Sequence, residues 1–218
     1  MKLLYLILEK EHRNMLNKLN NFNQLLEKKL LEFKEGEFYF LQILQRKKEN
    51  PNLRGNSKVI KTYYIDNLDY YNDIQEEVMG LCEFFNARAY MGLNRRSYKR
   101  VALHTMRELA DLIINEQYVA AKKAYNTTCG QYTVGDKLWI VDVDSTDFMN
   151  LQATIHAINK CASGFSPVVV TTLCTLNGYH IITRPFNIKQ LEPFMATNPL
   201  DIHKNNPTLV YYNNTNVK

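Results

Sequence analysis

The sequence predicts an α+β protein in which two α/β halves follow a helical N-terminal extension. From residue 59 to 212, runs of β-branched and aromatic residues alternate with amphipathic segments, which is typical of layered α/β units. Residues 1–58 differ because they are rich in Leu, Lys, Asn and Glu. We therefore divide the chain into an extension at 1–58, an α/β domain at 59–212 and a polar tail at 213–218.

The extension is predicted to be helical because its apolar residues recur at steps of three or four. These residues are Leu16, Leu19, Leu26, Leu30 and Phe33. Gly36 interrupts the pattern, and a second apolar run at 38–44 leads into a basic cluster. That cluster, Arg46, Lys47 and Lys48, precedes a loop at 50–57 that holds Pro51 and Gly55.

The first half of the domain reads as strand, helix, strand and helix. In chain order we expect a strand at 59–65, a helix at 67–85, a strand at 87–93 and helices at 97–115 and 117–125. Asp66 or Asn67 can cap the first of these helices, since short polar side chains accept hydrogen bonds from free backbone N–H groups.

The second half repeats this order and adds a hairpin. We expect a strand at 138–143, a helix at 147–161, strands at 168–174 and 179–183, a helix at 188–195 and a strand at 208–212. Thr146 or Asp147 can cap the first helix. Asn177-Gly178 between two strands is a strong signal for a tight hairpin turn.

The composition excludes some classes of protein and favours no single class strongly. The chain is 45% hydrophobic and 22% charged, which is typical of globular proteins and excludes a wholly disordered chain. No apolar run reaches the roughly 18–20 residues that span a bilayer, so we expect a cytoplasmic protein without a membrane partner. The four cysteines lie far apart and are expected to be reduced thiols. A net charge of +5 mildly favours polyanionic partners.

The segment around Asp142 and Asp144 is the first candidate for chemistry. Residues i and i+2 of a strand point to the same face, so both carboxylates project together while Val141 and Val143 face the other way. Two adjacent carboxylates repel each other unless a cation lies between them, and Mg²⁺ prefers such oxygen ligands. The alternative is that the pair caps the following helix and remains solvated.

A second candidate follows the hairpin turn. Alternation places His180 and Arg184 on one strand face, where together they could hold a phosphate, while Gly178 allows a tight turn or close approach to a ligand. The alternative is a structural histidine. A third candidate, Asp201, follows Asn198-Pro199 and could equally be a simple turn residue.

In order and spacing, these three motifs resemble those of the archaeo-eukaryotic primase superfamily, in particular the short primase-polymerase domains of phages and plasmids. The family has a hydrophobic-Asp-hydrophobic-Asp strand, a small-x-His strand after a hairpin, and a hydrophobic-Asp motif before a last strand. The matching residues here are Val141-Asp142-Val143-Asp144, Gly178-Tyr179-His180 and Leu200-Asp201. The resemblance spans roughly residues 60–212.

The resemblance implies an RRM-like catalytic core that acts as a primase or primase-polymerase. It implies that Asp142, Asp144 and Asp201 bind Mg²⁺ or Mn²⁺ and that His180, near Gly178, contacts the incoming nucleoside triphosphate. A single-stranded template is the other implied partner. The sequence contains no GxxxxGK[ST] motif, so any helicase or other replication protein is expected to be a separate chain.

A basic cluster near residue 100 is the expected contact for template phosphates. It comprises Arg95, Arg96, Lys99, Arg100 and Arg107. Phosphate contacts of this kind make affinity fall with salt. The alternative is a solvated basic helix face. For the whole protein, the alternatives are a non-catalytic nucleic-acid-binding replication or inhibitor protein on the same fold, and a metal-dependent nuclease.

Overall fold

The computed structural model describes residues 18–162, 167–205 and 207–213, and it is a mixed α+β protein whose strands pair antiparallel. The strands of this part of the chain are β1 (Lys18–Asn20), β2 (Glu37–Arg46), β3 (Ser57–Ile65), β4 (Arg88–Met91), β5 (Arg96–Ser97), β6 (Trp139–Val143), β7 (Val169–Cys174), β8 (Tyr179–Thr183), β9 (Asp201–His203) and β10 (Thr208–Asn213). The helices are α1 (Phe22–Glu27), α2 (Leu68–Asp73), α3 (Gln75–Phe85), α4 (Tyr98–Ile114), α5 (Tyr118–Ala121), α6 (Ala124–Gln131), α7 (Phe148–Lys160) and α8 (Ile188–Met195).

The described strands form two sheets. The larger has the order β1-β10-β4-β2-β3, with the short β5 also paired to β2. The smaller has the order β7-β8-β6-β9. Because β10 lies between β1 and β4, the end of the chain returns to the sheet formed by its first half. The sequence predicted this last strand but not its neighbours.

Helices cover both faces of the larger sheet. Tyr39, Leu41 and Ile43 of β2 pack toward α1, α2 and α3, in the largest apolar core. The alternate residues Phe38 and Phe40 pack on the other face, where Val101 of α4 and Cys129 of α6 meet them. Alternating faces of one strand therefore bury aromatic and aliphatic residues on both sides, as in a central strand.

The smaller sheet joins the larger through the same core. Ile140, Leu173 and Ile182 contribute to the largest core, while the other face of the sheet packs against α7 and α8 through residues such as Val141 and Val143. This arrangement fixes the smaller sheet beside the larger one and leaves a cleft at their junction.

The helical prediction for the N-terminal extension is wrong within residues 37–46, which form β2. The aromatic and β-branched composition of this run suits a strand that both β3 and β4 flank. In the segment 18–35 only α1 is helical, and the chain leaves the helix where Lys29 adopts a φ of 52°. The boundary predicted at residue 58 falls inside the β2–β3 hairpin. Residues 1–17, part of the predicted extension, and 214–218 of the predicted tail lie outside the described residues.

Most other predicted elements are present with shifts of a few residues. The Asn67 side chain accepts a hydrogen bond from the Tyr70 N–H at 2.8 Å, and Asp147 accepts one from the Met149 N–H at 3.0 Å, so both predicted caps are confirmed. All four cysteines are free thiols. No helix within the described residues is both long and apolar enough to cross a membrane.

Candidate functional site

Strand β6 and the residue that follows it position the carboxylates of Asp142 and Asp144 on one side, as the alternation predicted. Val141 and Val143 are buried against the helices behind the sheet, while Asp142 is half-buried and Asp144, just past the strand end, is exposed. The buried valines fix which face of the strand is turned inward, so the two aspartates are directed to the opposite side.

Strand pairing brings the three predicted motifs together. In the ladders of the smaller sheet, Asp142 is directly opposite His180 of β8 on one side and Asp201 of β9 on the other. Residues opposite each other in antiparallel strands have Cβ atoms about 4.5–5.5 Å apart. We call Asp142, Asp144 and Asp201 the acidic cluster.

His180 is held on both sides of its ring. Its Nδ1 is 2.8 Å from the hydroxyl oxygen of Thr208, which is buried at the start of β10, and its Nε2 is 3.6 Å from an Asp142 carboxylate oxygen. Burial, with a smaller contribution from the nearby His203, lowers the pKa of His180 to about 4. The imidazole is therefore neutral near pH 7, and its contact with Asp142 is not an ion pair at that pH.

Electrostatics in the acidic cluster disfavour a lone negative charge on Asp142. Burial raises the pKa of Asp142 most, and the charge of Asp144 raises it further. His203 opposes this by lowering the pKa, and Asp201 adds a smaller increase. A cation between the carboxylates would remove this repulsion. The cluster thus has the electrostatic character of a cation site.

Gly178 has a packing role in this structure, and its contact with a nucleotide stays a prediction. It is buried, and a Cβ at this position would overlap the Val143 carbonyl oxygen and lie 2.7 Å from the Ser145 nitrogen. The hairpin backbone therefore lies directly against the segment that carries Asp144. Only a glycine allows this approach, so Gly178 positions the acidic cluster.

Asp142 and Asp144 divide an open cleft at the junction of the two sheets. Each half has a volume of about 680 Å³, and both carboxylates line both halves. One half adds Asp201, Asn198, which precedes it by three residues, and Asn150 of α7. The other half adds His180 and His203 from the smaller sheet and several side chains from the larger sheet.

The side chains from the larger sheet and from the turn after β2 include three cations. Arg46 and Lys48 lie at the end of β2 and just beyond it, and Arg88 lies in β4. All three line the half of the cleft that Asp142, Asp144 and His180 also line. We call Arg46, Lys48 and Arg88 the cationic wall. The basic run before Pro51 was visible in the sequence, but its assignment to a helical extension hid its proximity to β6.

Hydrogen bonds fix the backbone beneath the cationic wall. The Asn50 side chain donates to the Asn86 carbonyl at 2.9 Å, and the Asn86 side chain donates to the Glu49 carbonyl at 3.1 Å. Arg88 pairs with Glu49, and both side chains are nearly buried, at 13% and 10% exposed. Arg46 donates to the Tyr90 hydroxyl at 3.1 Å. These contacts fix the positions of Arg46 and Arg88.

Arg184 lies apart from His180, contrary to the expectation that they hold one phosphate. It follows the end of β8, where its guanidinium is exposed and donates to the Pro167 carbonyl at 3.2 Å. It lines a separate pocket that also contains Lys29 and Arg95. Four residues along a strand span about 13 Å, which accounts for the separation.

The five basic residues predicted to bind nucleic acid do not form one cluster in the structure. Arg96 is 2% exposed, and its guanidinium donates to the Cys129 carbonyl at 2.8 Å and to the Asn94 carbonyl, so it is a structural residue. Its burial lowers its pKa to about 10. Arg95 pairs with Glu32 and Glu37.

The other three basic residues of that cluster are exposed on α4: Lys99, Arg100 and Arg107. Their role in nucleic-acid binding stays a prediction. Arg96 is not on this helix with them, because it belongs to β5 and precedes α4.

The residues of the acidic cluster fit a hard divalent cation by chemistry, since their carboxylate oxygens are the ligands that Mg²⁺ and Mn²⁺ prefer. Within the described residues, no group of three or more His, Cys, Asp or Glu side chains is arranged to hold a metal ion as it stands. Asp144 and Asp201 are exposed, so rotation of their side chains toward Asp142 is unobstructed by core packing.

Comparison with known proteins gives no assignment. No protein family, no curated protein and no solved structure matches the chain.

Proposed function

We propose that this protein is a metal-dependent, template-directed nucleotidyltransferase, a primase or primase-polymerase of the archaeo-eukaryotic primase superfamily, working in phage or plasmid replication. The observation that carries the proposal is the half of the cleft that Asp142 and Asp144 line together with the cationic wall, with His180 directly beside Asp142. The three motifs that suggested the family from sequence are neighbours on three adjacent strands.

In this proposal the acidic cluster holds Mg²⁺ or Mn²⁺. Asp142 and Asp144 line both halves of the cleft, so a cation bound by them is accessible from both. When bound, such ions stabilise the attacking oxygen and the leaving phosphate of a phosphoryl transfer. The raised pKa of Asp142 fits this role because cation binding favours its ionised form.

The cationic half of the cleft is the proposed site for the nucleoside triphosphate. Arg46 and Lys48 supply positive charge, and the N–H group of the neutral His180 can donate one hydrogen bond to a phosphate oxygen. Because carboxylates repel phosphates, a polyphosphate chain in this cleft is favoured only when cations shield the acidic cluster. The arrangement therefore makes nucleotide binding depend on the metal.

The reaction itself is a substitution at phosphorus. The 3′-hydroxyl oxygen of the growing strand loses its proton to solvent and forms a bond to the α-phosphorus, while the bond from that phosphorus to pyrophosphate breaks and pyrophosphate leaves. Rigid placement of the phosphates is the contribution expected from the hydrogen-bonded cationic wall, since positioning and electrostatic stabilisation dominate such transfers.

The test is the length of an end-labelled strand. A labelled primer on a single-stranded template, and an unprimed template, are incubated with dNTPs or NTPs and with Mg²⁺ or Mn²⁺. The proposal expects extended or newly made strands from the wild type and none from Asp142→Asn. The control Asp136→Asn removes the same charge outside the cleft and should retain synthesis.

The alternative functions give different products. Shortened strands that disappear in Asp142→Asn would replace the proposal with a metal-dependent nuclease. Salt-sensitive template binding that is unchanged in Asp142→Asn, without synthesis under either metal, would replace it with a non-catalytic binding protein.

A further inference from the structure

The tip of the β2–β3 hairpin, residues 46–58, carries almost all of the net charge of the protein. It contains five cations and one acid, a net charge of +4, whereas the whole chain carries +5. Charge concentrated on one surface attracts a polyanion more strongly than the same charge spread over the molecule. All five cations are exposed, and they are Arg46, Lys47, Lys48, Arg54 and Lys58.

The one acid of the hairpin tip is turned inward, which leaves these cations unopposed. Glu49 is 10% exposed and pairs with Arg88 of β4. Lys61, the next cation along β3, pairs with Glu77. Among the residues that the structure describes, no salt bridge joins any of the five cations of the tip to an acid. Their charge is therefore available to a partner.

Hydrogen bonds fix the shape of the hairpin tip. The Lys47 N–H donates to the Asn56 carbonyl at 2.9 Å, and the Leu53 N–H donates to the Asn50 carbonyl at 3.0 Å. The bond from the Asn50 side chain to the Asn86 carbonyl ties the tip to the segment before β4. The cations therefore extend from an ordered support, so little backbone entropy is lost when they bind a partner.

The hairpin tip is continuous with the cleft of the proposed active site. Asn56 and Ser57 line the same half of the cleft as Arg46 and Lys48. The remaining three cations lie outside the cleft lining, and we call them the outer cations: Lys47, Arg54 and Lys58. A polyanion bound to the outer cations lies beside the cleft that is proposed to hold the nucleotide.

The composition of the hairpin tip fits a phosphate backbone better than a membrane surface. Leu53 is the one large apolar residue between 46 and 58, and it is half-buried. Segments that bind membrane surfaces combine basic residues with a row of apolar ones, and residues 46–58 contain no such row. Asn52, Asn56 and Ser57 instead supply neutral side chains of the kind that contact phosphate oxygens.

We propose that the outer cations bind the phosphate backbone of a single-stranded nucleic acid and direct it toward the cleft. That this strand is a template rests on the proposed function, whereas the binding itself does not. The cations contact phosphates directly, so the binding needs no metal. Helix α4 is a weaker candidate for this contact, because Glu108 and the exposed Asp111 follow Arg107 and reduce the local positive charge.

The test is the binding of a fluorescently labelled single-stranded oligonucleotide, followed by fluorescence anisotropy over a series of salt concentrations without divalent metal. The wild type is compared with the hairpin variant, Lys47→Gln/Arg54→Gln/Lys58→Gln. The hairpin variant should bind at least about tenfold more weakly at low salt. Its slope of log affinity against log salt should be smaller by about 2, because each phosphate contact on a single strand contributes about 0.7.

Lys122→Gln/Lys123→Gln/Lys160→Gln is the matched control. It removes the same charge at exposed positions outside the hairpin tip and the cleft, so its affinity should stay within about twofold of the wild type. Equal free energies of unfolding in urea for the wild type and the hairpin variant would show that the variant is folded.

The inference and the proposed function fail in different ways. Equal oligonucleotide affinities in the wild type and the hairpin variant, or an equal loss in the control, would overturn the inference even if the wild type synthesises strands. A wild type that binds no oligonucleotide, whether or not it binds anionic lipid vesicles, would overturn it as well. Binding that only the hairpin variant loses, without synthesis by the wild type under either metal, would support the inference and contradict the proposed function.

Discussion

Asp142 and His180 face each other across the β6–β8 ladder, with 3.6 Å between the Asp142 carboxylate oxygen and the His180 Nε2. Burial acts on both residues in the same sense, because it raises the pKa of the carboxyl group and lowers that of the imidazole. Each residue is therefore biased toward its neutral form in the free protein. A bound cation would favour the ionised form of the Asp142 carboxyl group, and a bound phosphate would favour the protonated form of the His180 imidazole. A metal–nucleotide complex supplies both charges.

Gly178→Ala should disrupt the acidic cluster because the added methyl group overlaps the backbone of Val143 and Ser145. Overpacking of this kind costs about 1–3 kcal/mol, so we expect a lower free energy of unfolding in urea and loss of strand synthesis. The matched control is Gly80→Ala in α3, where nothing lies within 4 Å of the added Cβ. That change should stabilise the protein by about 0.5–1 kcal/mol. Unchanged stability in Gly178→Ala would contradict the close approach.

Stability should fall as the pH is lowered from about 6.5 to about 4, and His180 should be a main cause. Its pKa is about 4 in the folded protein, whereas an unperturbed histidine has a pKa of about 6.5, so the unfolded chain binds more protons between these values. This linkage amounts to about 2 kcal/mol of lost stability between pH 7 and pH 5. Asp142 acts oppositely, since its raised pKa favours the folded state as the pH approaches 4.

Urea unfolding at pH 7 and pH 5 in metal-free buffer measures this effect. His180→Gln should reduce the loss of stability between the two pH values, whereas His156→Gln, at an exposed position on α7, should retain it. An equal loss in wild type and His180→Gln would show that another group is responsible.

Lys48→Ala should weaken nucleotide binding while Lys47→Ala should not. The two residues are adjacent, exposed and equally charged, but Lys48 lines the half of the cleft that Asp142 and Asp144 also line. Removing one cation near a polyphosphate is expected to lower the affinity about fivefold to tenfold, with less effect at high salt. Calorimetric titration with a non-hydrolysable nucleoside triphosphate and Mg²⁺ gives the comparison. Equal affinities in the two variants would remove Lys48 from the site.

Arg96→Ala should reduce stability rather than nucleic-acid affinity. The change leaves the Cys129 and Asn94 carbonyls without their guanidinium donor in a buried position, at a cost of about 2–4 kcal/mol. Arg107→Ala, at an exposed position on α4, should change the free energy of unfolding by less than about 0.5 kcal/mol. Thermal or urea unfolding of the two variants distinguishes a buried structural arginine from a solvent-exposed one.

The sequence predicted those parts of the site that depend on local patterns. Alternation in β6 gave the directions of Asp142 and Asp144 correctly, and Asn177-Gly178 marked the turn before His180. That Asp142, His180 and Asp201 come together was anticipated only through the order of the family motifs. Spacing along the chain does not state which strands pair, and their adjacency depends on the order β8-β6-β9.

The cationic wall could not be predicted because it depends on contacts between distant segments. Its position follows from pairing of β2 with β4 and from the Asn50–Asn86 hydrogen bonds, neither of which leaves a local signal. Arg96 also depends on a contact with a distant segment, but here the sequence predicted a binding role for a residue that is structural. A basic residue next to other basic residues suggested an exposed cluster, but the carbonyl that its Nε binds comes from Cys129, 33 residues away.

Uptake of Mn²⁺ tests the central claim, that the acidic cluster is a divalent-cation site serving a nucleotide. Free Mn²⁺ is followed by electron paramagnetic resonance during titration of the protein, with and without a non-hydrolysable nucleoside triphosphate. We expect the wild type to bind Mn²⁺ more tightly with nucleotide present, Asp142→Asn/Asp144→Asn to lose this uptake, and Asp73→Asn/Asp136→Asn to retain it. Equal uptake by wild type and Asp142→Asn/Asp144→Asn, or none by the wild type, would contradict the claim.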